Sequence, residues 1–174
     1  MSLPHALLTA LIDHPRSGSD LAVRFDRSIG YYWQATHQQI YRELARLEAA
    51  GWIEALPAES GRGRKRRYRA LPAGRDELIR WTSESQSALP IRDELLVRIT
   101  AEAAIGPTRL AEELERLVAV HGEKLATYRD IERRGFGEEP LTREQRLRHV
   151  VLKAGIDFET QRIALCNEAL AALA

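Results

Sequence analysis

The sequence predicts a mainly α-helical protein in two parts: a small helical domain with a two-stranded β wing, then a pair of long antiparallel helices. Three observations carry that expectation. Aromatic residues are few, 6%, among much Leu, Ala, Arg and Glu, a composition that favours helix. Thr36 with Gln39 forms a capping box, opening an amphipathic segment that ends at Gly51. Directly after Gly51 the apolar spacing turns from helical to alternating, with a basic stretch between two short alternating runs. A chain of 174 residues suits one domain or two small ones, and 44% hydrophobic content can fill a real core.

In order, residues 3–13 predict a short helix burying Leu7, Leu8, Leu11 and Ile12, with Pro4 in its first turn; Pro15 and Ser17-Gly18 break it. Ser19 is suited to cap a second helix over Asp20–Asp26, burying Leu21, Val23 and Phe25 in part. Tyr31, Tyr32 and Trp33 lead into the capped helix, Thr36–Ala50. There Ile40, Leu44 and Leu47 make one apolar stripe. At 100° per residue, Gln38, Arg42 and Ala45 fall on the opposite side, with Tyr41 and Arg46 at its edges. Trp52–Leu56 and Tyr68–Leu71 read as strands flanking the basic loop Glu59–Arg67. Pro72 suits the first turn of a helix over Ala73–Glu84, in which Leu78, Ile79 and Trp81 are available to pack. Three helices followed by strand, basic turn and strand make a winged helix-turn-helix.

Residues 83–90 form a polar, breaker-ended joint, so the expected domains are 1–85 and 90–174. Beyond the joint come a helix near Ile91–Ala104, a break at Gly106-Pro107 and a long helix over Thr108–Arg134. Its Leu110, Leu114, Leu117, His121, Leu125 and Tyr128 alternate steps of three and four, as a coiled-coil stripe does. Thr142 and Gln145 repeat the capping box and open the last helix. Val151, Ala154, Phe158 and Leu165 line one side of it; Leu152, Ile156, Ile163 and Leu170 line an adjacent one. One antiparallel partner cannot cover so broad a surface. A second copy of the chain would cover it, as would the winged domain folding back; two-fold pairing is the commoner solution, so a homodimer is expected.

The net charge of +1 hides an asymmetry: residues 1–80 carry +4 and residues 81–174 carry −3. The basic excess therefore sits with the wing, where an anionic partner would be met. Arg62, Arg64, Lys65, Arg66 and Arg67 lie within six residues, and Gly61 and Gly63 leave the backbone free to approach. Alone, such a run is as often a solvated loop. Beside a recognition helix it reaches phosphates or the adjacent minor groove of double-stranded DNA. Arg42 is the candidate for a guanine edge and Gln38 for adenine, while Thr36 and His37 sit where a helix N-terminus meets phosphate. Tyr41 is expected to pack against the wing strand; for Arg46, pairing with Glu43 or Glu48 and touching DNA are equally open.

These residues carry a resemblance. Trp33, the run Gln39-Ile40-Tyr41-Arg42-x-Leu44, then Leu47-Glu48-x-x-Gly51-x-Ile53, the Gly-Arg wing, Tyr68 and Pro72-x-Gly74 closely resemble the PadR family of bacterial transcriptional regulators. The likeness is specific over residues 3–81 and weaker over the C-terminal helices, which look like the family's dimerisation region. It implies a dimeric repressor that binds paired sites, with some members responding to phenolic acids or other small aromatics. Leu71 departs from the Thr that often caps the next helix in the family, leaving initiation there to Pro72.

An effector pocket is expected only through that resemblance. Trp81, Tyr128, Phe136 and Phe158 would frame an aromatic cavity between the domains or across a dimer; core packing is the better account of them. His5, His14, His37, His121 and His149 show no metal-ligand spacing, and no metal or cofactor is expected. Cys166, the single cysteine, reads as a buried packing thiol, and no catalytic signature appears, so no enzyme is expected. No apolar run spans a bilayer and no signal-peptide pattern opens the sequence; a cytoplasmic location is expected. A second reading of the charge split is a winged-helix interaction module that binds an acidic protein rather than DNA.

Overall fold

A computed structural model describes residues 3–27, 35–57, 65–86, 90, 92–136 and 140–174. The chain divides into two compact units, Met1–Ala88 and Leu89–Ala174.

The first unit runs α1 (Leu3–Leu11), β1 (Arg16–Ser17), α2 (Gly18–Arg27), α3 (His37–Ala49), β2 (Ile53–Ala55), β3 (Arg67–Ala70) and α4 (Pro72–Thr82). Leu7, Leu8 and Leu11 of α1 are fully buried, and the helix stops at Leu11, sooner than expected. The cap of α2 is Ser17, not Ser19: its hydroxyl accepts from the Asp20 amide at 3.1 Å, and its own amide donates to the Asp20 carboxylate at 3.2 Å. That reciprocal pair lets the helix start at Gly18. It buries Leu21, Ala22 and Phe25, while Val23, two residues round from Leu21, is 48% exposed and not in the core as expected.

Both arms of the Thr36 capping box are present on α3. Its C-terminus closes as a Schellman turn, with the Gly51 amide on the Glu48 carbonyl and the Trp52 amide on the Leu47 carbonyl, each at 3.0 Å. Gly51 takes φ +70°, which a side chain would resist. Ile40, Leu44 and Leu47 are buried against α1 and α2 residues in one core with Ile53 and Tyr68.

The wing has three strands rather than two, antiparallel in the order β1-β3-β2. Arg16 and Ser17 pair with Tyr68 and Arg67, an edge too short to show any alternation in sequence. Opposite it, Ile53, Glu54 and Ala55 pair with Ala70, Arg69 and Tyr68. No side chain caps α4, and Pro72 occupies its first turn. Gly74 is required there: a Cβ would stand 2.4 Å from the Trp52 carbonyl oxygen. Leu78 packs on the core, whereas Ile79 faces outward.

The second unit holds α5 (Glu94–Ile105), α6 (Leu110–Gly135) and α7 (Arg143–Leu173). Asp93 caps α5 by accepting from the Leu95 amide at 3.0 Å, so this helix starts later than expected. The Asp93 carboxylate also takes the Arg162 guanidinium, which ties α5 to α7 and holds the carboxyl below its ordinary range. Leu110, Leu114, His121 and Tyr128 of the predicted stripe are buried. On α7 both arms of the Thr142 box are formed. Leu152, Ile156, Ile163 and Leu170 are half-buried, while Val151, Ala154 and Phe158 lie exposed. Within the α6–α7 hairpin His121 meets Glu159, both nearly sequestered from solvent. Gly155 lets the helices approach, since a Cβ would lie 3.1 Å from the Tyr128 ring.

Candidate nucleic-acid interface

The first unit presents α3 with its polar side outward. His37, Gln38, Arg42 and Ala45 are exposed, opposite the buried Ile40, Leu44 and Leu47. Among the described residues neither the Arg42 nor the Gln38 side chain makes a hydrogen bond or ion pair within the protein. Thr36 is committed to the cap: its hydroxyl accepts from the Gln39 amide at 3.2 Å and its amide donates to the Gln39 carboxamide at 2.8 Å. This fixes the helix start, whose positive dipole end faces outward with His37 and Gln38.

The Tyr41 ring lies over Gly18 at the start of α2, where a Cβ would approach it to 2.3 Å. Tyr41 was expected against the wing strand; nothing local marks Gly18, 23 residues before it, as its neighbour. Arg46 pairs with Glu43 at 3.5 Å. Glu48 goes instead to the wing.

Of the five basic wing residues, Arg62 and Arg64 lie outside the described residues, as do Trp33, Gly61 and Gly63. The other three are laced to the body of the unit. Arg66 donates through Nη2 to both Glu48 oxygens at 2.7 and 2.8 Å, with its guanidinium 5.4 Å from the Tyr68 ring centre. Arg67 donates to the Pro15 carbonyl at 3.0 Å, and the Lys65 ammonium stands 3.9 Å from the Asp20 carboxylate. The hydrogen bond from Ser17 holds the Asp20 carboxyl below its ordinary range, and Lys65 and Arg67 add to it. Glu54 and Arg69 pair across β2 and β3 at 2.9 Å. Burial pushes the Tyr68 phenol up. The result is a cationic strand pair braced beside an outward-facing helix, an arrangement suited to a polyanion.

The aromatic residues weighed for a pocket have separate surroundings. Trp81 stacks on His5 in the first unit at 4.3 Å, and His5 also bonds Glu77 at 3.0 Å. Hydrogen bonds from Arg80 and then His5 bring the Glu77 carboxyl down to about 2. No local pattern marks this cluster, because its members come from opposite ends of the first unit's sequence. In the second unit Tyr128 is buried against Gly155, Phe136 stacks on His149 at 4.5 Å, and Phe158 is 57% exposed, 5.9 Å from the Arg162 guanidinium. Burial pushes the Cys166 thiol up. Among the described residues no group of metal-ligating side chains converges, and no helix is long and apolar enough to cross a membrane.

A family model described as the transcriptional regulator PadR-like family matches residues 7–80, and one described as virulence activator alpha C-term matches residues 91–174. A protein of Mycobacterium tuberculosis, named a probable transcriptional regulator, is 36% identical over 187 residues, spanning 99% of this chain and 98% of that protein. The structure of the Vibrio cholerae virulence activator AphA superposes with a TM-score of 0.81 at 30% identity, covering 99% of this chain and 98% of that one. Bacillus subtilis PadR in complex with operator DNA superposes with a TM-score of 0.84 at 23% identity, over 98% of this chain and 97% of that one. The same protein in complex with p-coumaric acid gives 0.80 at 21% identity, over 99% of each chain. At those identities the two superpositions show a shared fold.

Proposed function

The chain belongs to the PadR-like family of transcriptional regulators, which are not enzymes, and from that premise we propose that it is a cytoplasmic homodimer that represses transcription by gripping paired operator half-sites. Arg42 and Gln38 read base edges in the major groove, and Lys65, Arg66 and Arg67, with Arg62 and Arg64, hold phosphate. His37 and the α3 start sit against the backbone, with Thr36 fixing that start. The observation that carries this reading is the pairing of an outward Arg42, with no partner among the described residues, and a braced basic wing in one unit.

The dimer is supported by the uncovered side of α7. Leu147, Val150, Val151 and Phe158 are all at least half exposed, and they recur at helical spacing along one face. Release by a small aromatic effector belongs to the same reading: Bacillus subtilis PadR has been solved with p-coumaric acid. Of Trp81, Tyr128 and Phe158, Phe158 is best placed to meet such a molecule, being exposed beside a cation.

Mobility shift against the DNA upstream of the protein's own gene tests the base-reading assignment. Arg42→Ala should weaken binding to that fragment by about 1–3 kcal/mol and relax its sequence preference. A loss spread evenly over all sequences would remove Arg42 from base recognition. Absence of duplex binding even at low salt would favour an acidic protein partner for the wing.

A further inference from the structure

We propose that Glu48 is an internal counter-ion that competes with DNA phosphate for Arg66, so that the wing's grip on a duplex is set by an exchange within the chain. This rests on the DNA-binding reading above. Glu48 lies in the last turn of α3, at the negative end of the helix dipole, where a carboxylate is disfavoured and an incoming cation is welcome. Arg66 supplies that cation from the strand side, with one nitrogen bridging both carboxylate oxygens. The guanidinium is held over the Tyr68 ring, so it is already oriented and immobilised beside the recognition helix.

The side chain of Arg66 is 60% exposed and that of Glu48 30% exposed. A pair so placed is weak and screened, within reach of displacement by a phosphate. While the pair persists, one wing cation is neutralised; when it opens, a carboxylate is left beside the duplex. Both effects fall mainly on the sequence-independent part of binding, which is electrostatic. Glu48 thereby trims non-specific affinity while leaving base reading by Arg42 intact. Asp20 stands farther from Lys65, at 3.9 Å, so among the acids beside Lys65 and Arg66 Glu48 makes the closer contact.

The test compares the full-length wild type with Glu48→Gln, Arg66→Ala and the double variant. Fluorescence anisotropy on a random-sequence duplex is followed from about 50 to 200 mM salt, with the upstream fragment measured alongside. Glu48→Gln should tighten non-specific binding about two- to fivefold at low salt, the worth of one exposed ion pair. The slope of log affinity against log salt should stay that of the wild type, since Arg66 meets phosphate in both. The gain should vanish when Arg66 is also Ala. A gain that survives in the double variant is a general charge effect and overturns the proposal. So does unchanged or weaker binding in Glu48→Gln while the wild type still binds with an Arg42-dependent preference, and that result leaves the DNA reading standing. A wild type that binds no duplex at low salt sinks both.

Discussion

The two units solve the problem of burying apolar surface in different ways. The first closes on itself: Leu7, Leu8, Leu11, Leu21, Phe25, Ile40, Leu44 and Leu47, from three helices, meet in one core sealed by the sheet. The second is a long hairpin with α5 at its side, and among the described residues its buried apolar cluster is Leu95, Leu110, Leu114 and Cys166. Much of α7 packs on α6, yet Val150 and Val151 remain 63% and 51% exposed. A pair of long helices has too little cross-section to enclose apolar residues on every side. The difference teaches that the first unit's stability is internal, whereas the second carries apolar surface that its own helices leave uncovered.

The comparison breaks most directly at the uncovered side. Val150→Asp with Phe158→Asp should abolish the proposed dimer, read by sedimentation equilibrium as a fall to one-chain mass with the helical circular dichroism retained. If the two-chain mass persists, the dimer lies elsewhere. Next in size, Leu44→Ala in the closed core should cost about 2–5 kcal/mol. The three tryptophans, Trp33, Trp52 and Trp81, all lie in the first unit, so fluorescence follows its melting apart from the second unit. A fluorescence transition that drops while hairpin helicity holds would confirm separate stabilities.

Thr36→Ala removes the cap and should cost the first unit about 1 kcal/mol, visible as a smaller shift in that same transition. The smallest effect expected is one of pH. Glu77 has its pKa lowered from 4.5 to about 2, so its stabilisation is complete above pH 4.5 and is lost as pH falls towards 2. Glu77→Gln should flatten that acid loss in the fluorescence-detected stability of the first unit; an unaltered profile would remove the His5–Glu77–Arg80 cluster as its cause.

Much of this architecture could be read from local chemistry. Capping boxes at Thr36 and Thr142, Gly51 at a helix end and the stripe Ile40-Leu44-Leu47 act over one or two turns of chain, and the structure reproduces each; of the six-residue stripe on α6, Leu110, Leu114, His121 and Tyr128 are buried and Leu117 and Leu125 half-buried. The outward placement of Gln38 and Arg42 follows from the same helical periodicity.

What neighbouring residues along the chain could not decide was who meets whom across it. Val23 lies outward and Ser17 caps α2 because packing on the core orients this helix, which its own short pattern does not. The edge strand at Arg16–Ser17, Tyr41 on Gly18, Trp81 on His5, Glu48 on Arg66 and His121 on Glu159 all join residues distant in sequence. Periodicity reports which way a side chain faces. Its partner depends on how separate elements pack, and that is settled only when the whole unit has closed.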